Sequence, residues 1–379
     1  MPADADGGRL HLRDQTSMET NSATTAVHNR TDGFCERFGL GCPILLAPMA
    51  GVPAPGLSIA VARAGGLGAC GALLMQPQEI LAWAAAVRTA AGDAFQLNLW
   101  APDPAPQRSL EHEGRVLAFL AQWGPAPSPD AGDGVPPDFE AQCEALLQAG
   151  APIVSSVMGL FGPDYVRRLK AQGVAWFATV STVAEARAAA AAGADAIIAQ
   201  GMEAGGHRAA FAADQAERRM VGLVSLVPAV ADAVDLPVVA TGGVADGRGV
   251  AAALALGASA VQVGTGFLRC PEAEIAPAWA DALARTLPED TAVSRVFSGR
   301  AGRSIDTAYV QAAVAPSAPD PAPYPVQRGL TAAMRKAAIE AGDVQRMQAW
   351  AGQSAGLALA EPAAAVVGRL WAEAQRLVR

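Results

Sequence analysis

Eight short apolar runs recur along the chain, at residues 43–49, 66–72, 95–100, 152–157, 174–180, 194–200, 236–241 and 260–266. Most are apolar on both faces with little period-two alternation, the pattern of strands in a parallel sheet covered on both sides. Ala- and Leu-rich helical segments separate them, at residues 58–64, 78–90, 164–172, 183–192, 223–234 and 247–256. Gly173, Gly193 and Gly257 follow three of these segments, where a left-handed residue stops a helix. Several repeats take only about twenty residues, short for the crossovers of an open sheet and normal for a closed barrel. The expectation is an α/β fold, a (β/α)8 TIM barrel in which each strand is followed by a helix. An open doubly wound sheet is the alternative.

The chain has 379 residues, of which 51% are hydrophobic and 17% charged, enough to bury a large core and more than one barrel needs. Residues 1–32 are polar, carry acids early and lack the apolar stretch of a signal peptide, so they read as a disordered leader. Residues 33–296 read as the barrel. Within it, residues 101–150 form an insertion after the third strand, Pro/Asp/Gly-rich with helical pieces at 109–123 and 139–149, placed as a lid. Residues 297–379 follow the eighth helix with arginines, a Pro-rich linker at 315–325 and further helical segments. That tail is expected to lie outside the barrel and to pack with the insertion as a small helical second domain.

A net charge of −8 argues against a nucleic-acid or anionic-membrane partner, which calls for a basic face. The five cysteines (Cys35, Cys42, Cys70, Cys143 and Cys270) are odd in number and scattered, with no C-x-x-C pair and no zinc spacing. No metal and no disulfide framework is expected, and a reducing, cytoplasmic setting is the default. The one uncharged stretch near spanning length, residues 249–268, is broken by Gly257, Ser259, Gln262 and Gly264 and reads as helix, turn and strand. No membrane segment is expected.

The chemistry gathers where strands end. The seventh apolar run closes in Gly242-Gly243 and the eighth in Gly264-Thr265-Gly266. Glycines let the backbone approach a ligand, free N–H groups near a helix start favour an anion, and these two loops are where barrels hold phosphate. They point to a phosphorylated cofactor or substrate. After the sixth run comes Gln200-Gly-Met-Glu-Ala-Gly-Gly-His207, which puts an imidazole beside two glycines on the catalytic face, suited to moving a proton. Glu203 either orients it or is solvated. Ala47-Pro48-Met49 closes the first strand, where backbone and a thioether suit a flat ring, and Asn98 ends the third, where an amide suits a heterocycle edge. Arg300 and Arg303 either clamp an anion or brace the tail. G-x-S-x-G, P-loop and H-E-x-x-H motifs are missing from the sequence.

Together, Ala-Pro-Met after the first strand, Asn-Leu at the third, the 199–208 segment and the two glycine loops resemble the nitronate monooxygenase family, formerly called 2-nitropropane dioxygenases. The resemblance runs from about Phe34 onward and includes the tail segments at 298–303, Tyr324-Pro325 and Trp350-Ala-Gly-Gln353, which are similar to those of class I enzymes. The E-A-G-G-H segment is shared with FMN-dependent enoyl-acyl-carrier-protein reductases. What the resemblance implies is an FMN-containing barrel without tightly bound metal. Ala47, Pro48, Met49, Asn98, Gln200, Gly205, Gly206, Gly242, Gly243, Gln262, Gly264 and Thr265 would hold the flavin, and His207 would be the active-site base. The implied reaction oxidises an alkyl nitronate, or a nitroalkane, with oxygen to a carbonyl compound and nitrite. A nitronate is already deprotonated, so His207 would serve neutral nitroalkanes or polarise the nitronate. The chain departs from the family at Val157, where class I members usually carry a second His, and Arg328 and Ala332 follow Tyr324 at helical spacings. An FMN-dependent NAD(P)H reductase of an enoyl thioester or quinone, and a non-catalytic flavin- or phosphometabolite-binding barrel, are the alternatives; either a monomer or a homodimer is compatible.

Overall fold

The computed structural model describes residues 11–52 and 54–378. Eight parallel strands form its centre: β1 (Ile44–Leu46), β2 (Gly68–Gly71), β3 (Phe95–Trp100), β4 (Ile153–Val157), β5 (Ala175–Val180), β6 (Ala196–Gln200), then β8 (Val238–Thr241) and β9 (Ala260–Val263), with a short β7 (Gly206–His207) outside the ring. Each pairs in parallel with its neighbours in the order β1-β9-β8-β6-β5-β4-β3-β2. A parallel bridge from Leu45 to Leu67 closes the ring, with Leu46 N donating to Leu67 O at 2.8 Å and Leu67 N to Ile44 O at 3.1 Å. The fold is a (β/α)8 barrel.

Strand residues alternate between two cores, as the pleat requires. Leu45, Leu67, Ile153, Phe177, Ile198, Val239 and Ala260 fill the inside, while Ile44, Leu46, Val154, Trp176, Ala178 and Val261 face the surrounding helices. Seven of those helices are α2 (Gly56–Arg63), α3 (Pro77–Ala91), α5 (Phe139–Gln148), α6 (Pro163–Ala171), α7 (Val183–Ala191), α8 (Leu223–Ala231) and α9 (Gly247–Ala255), while α4 (Leu110–Leu120) stands apart from them. Their starts are chemically marked. Thr182 and Glu185 form a capping box on α7, and the Asp246 carboxylate accepts from Gly249 N on α9.

Three features differ from the sequence reading. First, α1 (His11–Phe38) runs through much of the expected disordered leader; residues 1–10 of that leader lie outside the described residues. Its C-terminal end is held because Phe34, 2% exposed, and Phe38 pack on Phe177 at the base of the barrel, while Arg30 donates to Leu254 O and Ala258 O. Second, α5 belongs to the barrel layer rather than to a lid, since its buried Cys143, Leu146 and Leu147 join the outer core and it packs on α3. Third, the tail returns. Residues 308–313 (α11), 326–330 (α12) and 332–340 (α13) do lie off the barrel, but α14 (Ala363–Leu377) packs against α9 and α2 and serves as the eighth barrel helix. The reason is its stripe of Ala363, Val366, Val367, Leu370 and Ala374, helically spaced and buried in the outer core. After β9 the chain makes only short turns and α10 (Pro277–Leu283) before leaving the barrel, so another helix is needed to cover that flank.

Above the mouth, α4 joins α11, α12 and α13 around a second core of Val116, Leu120, Phe297, Tyr309, Val310, Val326, Leu330 and Met334. An antiparallel sheet of β10 (Thr291–Ser294), β11 (Gly302–Ile305) and β7 ties this unit to the barrel. Among the described residues no helix is long and apolar enough to cross a membrane.

Candidate active site

One cavity of about 580 Å³ opens at the C-terminal ends of the strands, within the range that holds a cofactor-sized ligand. The thirteen residues that the resemblance assigns to flavin binding and catalysis all line it: Ala47, Pro48, Met49, Asn98, Gln200, Gly205, Gly206, His207, Gly242, Gly243, Gln262, Gly264 and Thr265. They come together because a barrel brings every strand end to one rim.

The floor is polar. Asn98 donates through Nδ2 to Ser155 O and Oγ, and Gln262 Oε1 accepts from Gln96 Nε2 at 3.1 Å. Asn98 Oδ1 and the Gln262 amino group are left without protein partners among the described residues, one acceptor and one donor for a heterocycle edge. The rim is glycine. Gly243 sits at φ +69°, in the left-handed region that suits glycine, and Gly206 at φ +74° faces open space. No protein acceptor among the described residues takes the backbone N–H groups of Gly242, Gly243, Gly264 or Thr265. Unspent donors on adjacent loops suit an anion. These residues therefore fit a flat heterocycle carrying a phosphate, and no His/Cys/Asp/Glu group among the described residues could hold a metal.

Gln200 has another task. Its amide donates to His207 O at 3.0 Å and accepts from Ala209 N at 2.9 Å, pinning the His207 backbone from the barrel side. From the other side β11 holds it, pairing Gly302 with His207. Gly205 is needed for close packing: a Cβ there would lie 2.5 Å from Gly352 N, on the segment that crosses the rim and donates from Gly352 N to Thr265 Oγ1. Glu203 neither touches nor orients His207; its carboxylate accepts from Leu223 N at the start of α8. Arg300 and Arg303 act as braces. Arg300, 1% exposed, holds the Asp103 carboxylate and Ala210 O, and Arg303 holds Met202 O and Thr291.

His207 stands among aromatic rings, with Trp100 at 4.7 Å and Trp350 at 4.8 Å between centroids. Burial, then the Arg300 and Arg328 guanidinium groups, push its pKa from 6.5 down to about 3, so the imidazole is neutral near pH 7. Its Nε2 lies 2.8 Å from Ser298 Oγ. Tyr324 and Arg328 complete the wall, and the Arg328 side chain has no hydrogen-bonded or ion-paired partner among the described residues. Val157, at the end of β4, presents an isopropyl group to the same space. The tail segments that hold Ser298, Tyr324 and Trp350 carry the family resemblance, but no spacing in the sequence places these residues, Arg328 or Trp100 beside His207. Burial pushes the Cys42 thiol up to about 11 and the other four to about 12, and none lines the cavity.

A closed parallel barrel with a glycine rim, a polar floor and a half-buried, neutral imidazole defines the class: a TIM-barrel enzyme with its site at the strand ends. The family model for nitronate monooxygenase matches residues 36–373, and the chain belongs to that family of flavin-dependent oxidoreductases. A probable nitronate monooxygenase of Staphylococcus aureus (strain Newman) is 34% identical over 331 residues, 86% of this chain and 93% of that protein. Among solved structures, a nitroalkane oxidase from Streptomyces ansochromogenes is 37% identical with a TM-score of 0.81, covering 89% of this chain and 96% of that one. FabK from Thermotoga maritima is 28% identical with a TM-score of 0.69, covering 93% and 96%.

Proposed function

We propose that this enzyme binds FMN in the barrel mouth and oxidises alkyl nitronates, and neutral nitroalkanes after deprotonation, with oxygen to a carbonyl compound and nitrite. The observation that carries the reading is a neutral His207 facing, with the unpaired Arg328, a cavity whose two glycine loops offer unspent N–H donors. Gly242, Gly243, Gly264 and Thr265 would take the phosphate. Ala47, Pro48 and Met49 would lie against the ring, and Asn98 and Gln262 would meet its polar edge, with Gly205, Gly206 and Gln200 shaping the wall. A flavin held there supplies an electron acceptor for the nitronate and a path for those electrons to oxygen.

The chain's own groups do the rest. Arg328 places positive charge where an anionic nitronate would lie, and a desolvated guanidinium–anion contact is stronger than its counterpart in water. The indoles of Trp100 and Trp350 pack against the His207 ring on two sides. His207 takes a proton only from a neutral substrate. Five unpaired cysteines accord with a reducing, cytoplasmic setting.

The likeness to FabK favours a second reading, an NAD(P)H-dependent reductase on the same barrel. Anaerobic mixing separates the two. We expect the purified enzyme to release FMN, identified by mass, and its visible band to bleach with a nitronate. Bleaching by NADH alone, or a colourless protein that refuses added FMN, overturns the proposal.

A further inference from the structure

Ser298 is buried in the turn before β11 and has one neighbour in the active site and two in the backbone. His207 Nε2 lies 2.8 Å from its Oγ, Arg300 O lies 3.1 Å away, and Arg300 N approaches the same oxygen at 3.3 Å. A hydroxyl has one proton to give and two lone pairs to receive with. Arg300 O is a buried carbonyl for which the Ser298 hydroxyl is the one donor among the described residues, so sending the proton there satisfies it. The lone pairs of Oγ then accept from Arg300 N–H and from the imidazole. In that arrangement every group is used, and the imidazole must carry its proton on Nε2. The opposite arrangement gives the Ser298 proton to Nε2 and leaves a buried carbonyl unpaired.

We infer that Ser298 is a positioning residue that fixes His207, a residue of the cavity wall, as the Nε2–H tautomer and leaves Nδ1, which has no protein hydrogen-bond partner among the described residues, as a bare lone pair. The inference rests on the proposed nitronate and nitroalkane chemistry and sharpens it. His207 is then a base and not a hydrogen-bond donor to the substrate. A neutral nitroalkane gives its α-proton to Nδ1, and the C–H electron pair moves into the C–N bond as the nitro group takes the negative charge. The product pair is an imidazolium and a nitronate. A substrate that enters as the nitronate needs none of this. The charged or titratable groups facing the imidazole are Arg300 from the Ser298 turn, Arg328 and Tyr324 from the α12 region, and Asp103 through its pair with Arg300. Desolvation, and after it the two guanidinium groups, keeps the resting imidazole neutral, so Nδ1 is free at ordinary pH.

The chain has four histidines, so imidazole 15N spectra are tractable, with the His207 signals identified by their loss in His207→Gln. The wild type is expected to show Nε2 protonated and Nδ1 bare from pH 8 to pH 5. Ser298→Ala is expected to mix the tautomers and to lower the nitroalkane-to-nitronate activity ratio on the order of tenfold, the scale of an outer-shell orienting partner. Ser298→Thr keeps a hydroxyl and is expected to restore both, which guards against an alanine variant that simply folds poorly. A proton on Nδ1 in the wild type overturns the inference. So does a Ser298→Ala protein with unchanged tautomer and unchanged ratio. If neither compound is turned over, the proposed function falls, while the spectrum still upholds or overturns the role of Ser298 by itself.

Discussion

At the level of single residues, an imidazole kept neutral by its surroundings has a cost that appears in acid. The unfolded chain binds a proton to His207 near pH 6.5, and the folded one only near pH 3. Between those values the unfolded state holds more protons, so stability falls as pH drops from about 6.5 toward 3 and is unaffected by this group above pH 6.5. A His207→Gln variant is expected to lose less melting temperature than the wild type between about pH 7 and pH 4.5; parallel acid melting curves for the two would refute the burial argument. Single residues also show what sequence can reveal. His207, Asn98 and the glycine pairs announce themselves by standing where apolar runs end, and all of them do line one cavity. Ser298 and Arg328 lie 91 and 121 positions beyond His207 and meet it only through tertiary packing, so no spacing rule reaches them. Gln200 was legible as a site residue but not in its task, since hydrogen bonds to its own loop cannot be read from a strand-end position.

Among the elements, strands were the most legible because an apolar run of that length, closed by glycine, fits little else than a strand covered on both faces. Helix α14 was not. Its stripe of Ala363, Val366, Val367, Leu370 and Ala374 reads as an amphipathic helix, but nothing in the stripe says which surface it covers. Only the short path after β9, leaving a flank of the barrel bare, gives it a place. Leu370 is fully buried within that stripe. Leu370→Ala is expected to cost about 2–5 kcal/mol by chemical denaturation, the range for a buried leucine left as a cavity. A cost under about 0.5 kcal/mol, the scale of a surface change, would mean α14 is an ornament rather than a wall. The expected leader shows the converse error. Polar composition suggested disorder, while Phe34, Phe38 and Val27 pack the end of α1 on the barrel and Arg30 and Arg37 tie it there.

For the molecule as a whole, the mouth unit is fastened to the barrel by β7 pairing with β11 and by the buried Arg300–Asp103 pair. Asp103 follows β3 and Arg300 comes from the tail, so the pair spans the two chain segments that cover the site. Removing the carboxylate strands a guanidinium that is 1% exposed, which in buried pairs costs about 3–5 kcal/mol. Asp103 keeps some solvent contact, so the lower end is expected for Asp103→Asn, read as a drop in denaturation midpoint with faster proteolytic cleavage of the mouth unit. Unchanged cleavage would show that β7 and β11 hold the mouth alone. The barrel itself was predictable from repeat length, and the mouth cover less so, because its core is assembled from α4 and from helices nearly two hundred residues later. The late arrival of α14 has a consequence for how the enzyme is made. On the ribosome, β9 emerges roughly a hundred residues before α14, so the apolar surface that α14 covers on α9 and α2 stays open while α11, α12 and α13 are being synthesised. The outer helical layer is thus completed only when residues 363–377 are made, and a nascent chain held short of them presents the apolar face that α14 covers.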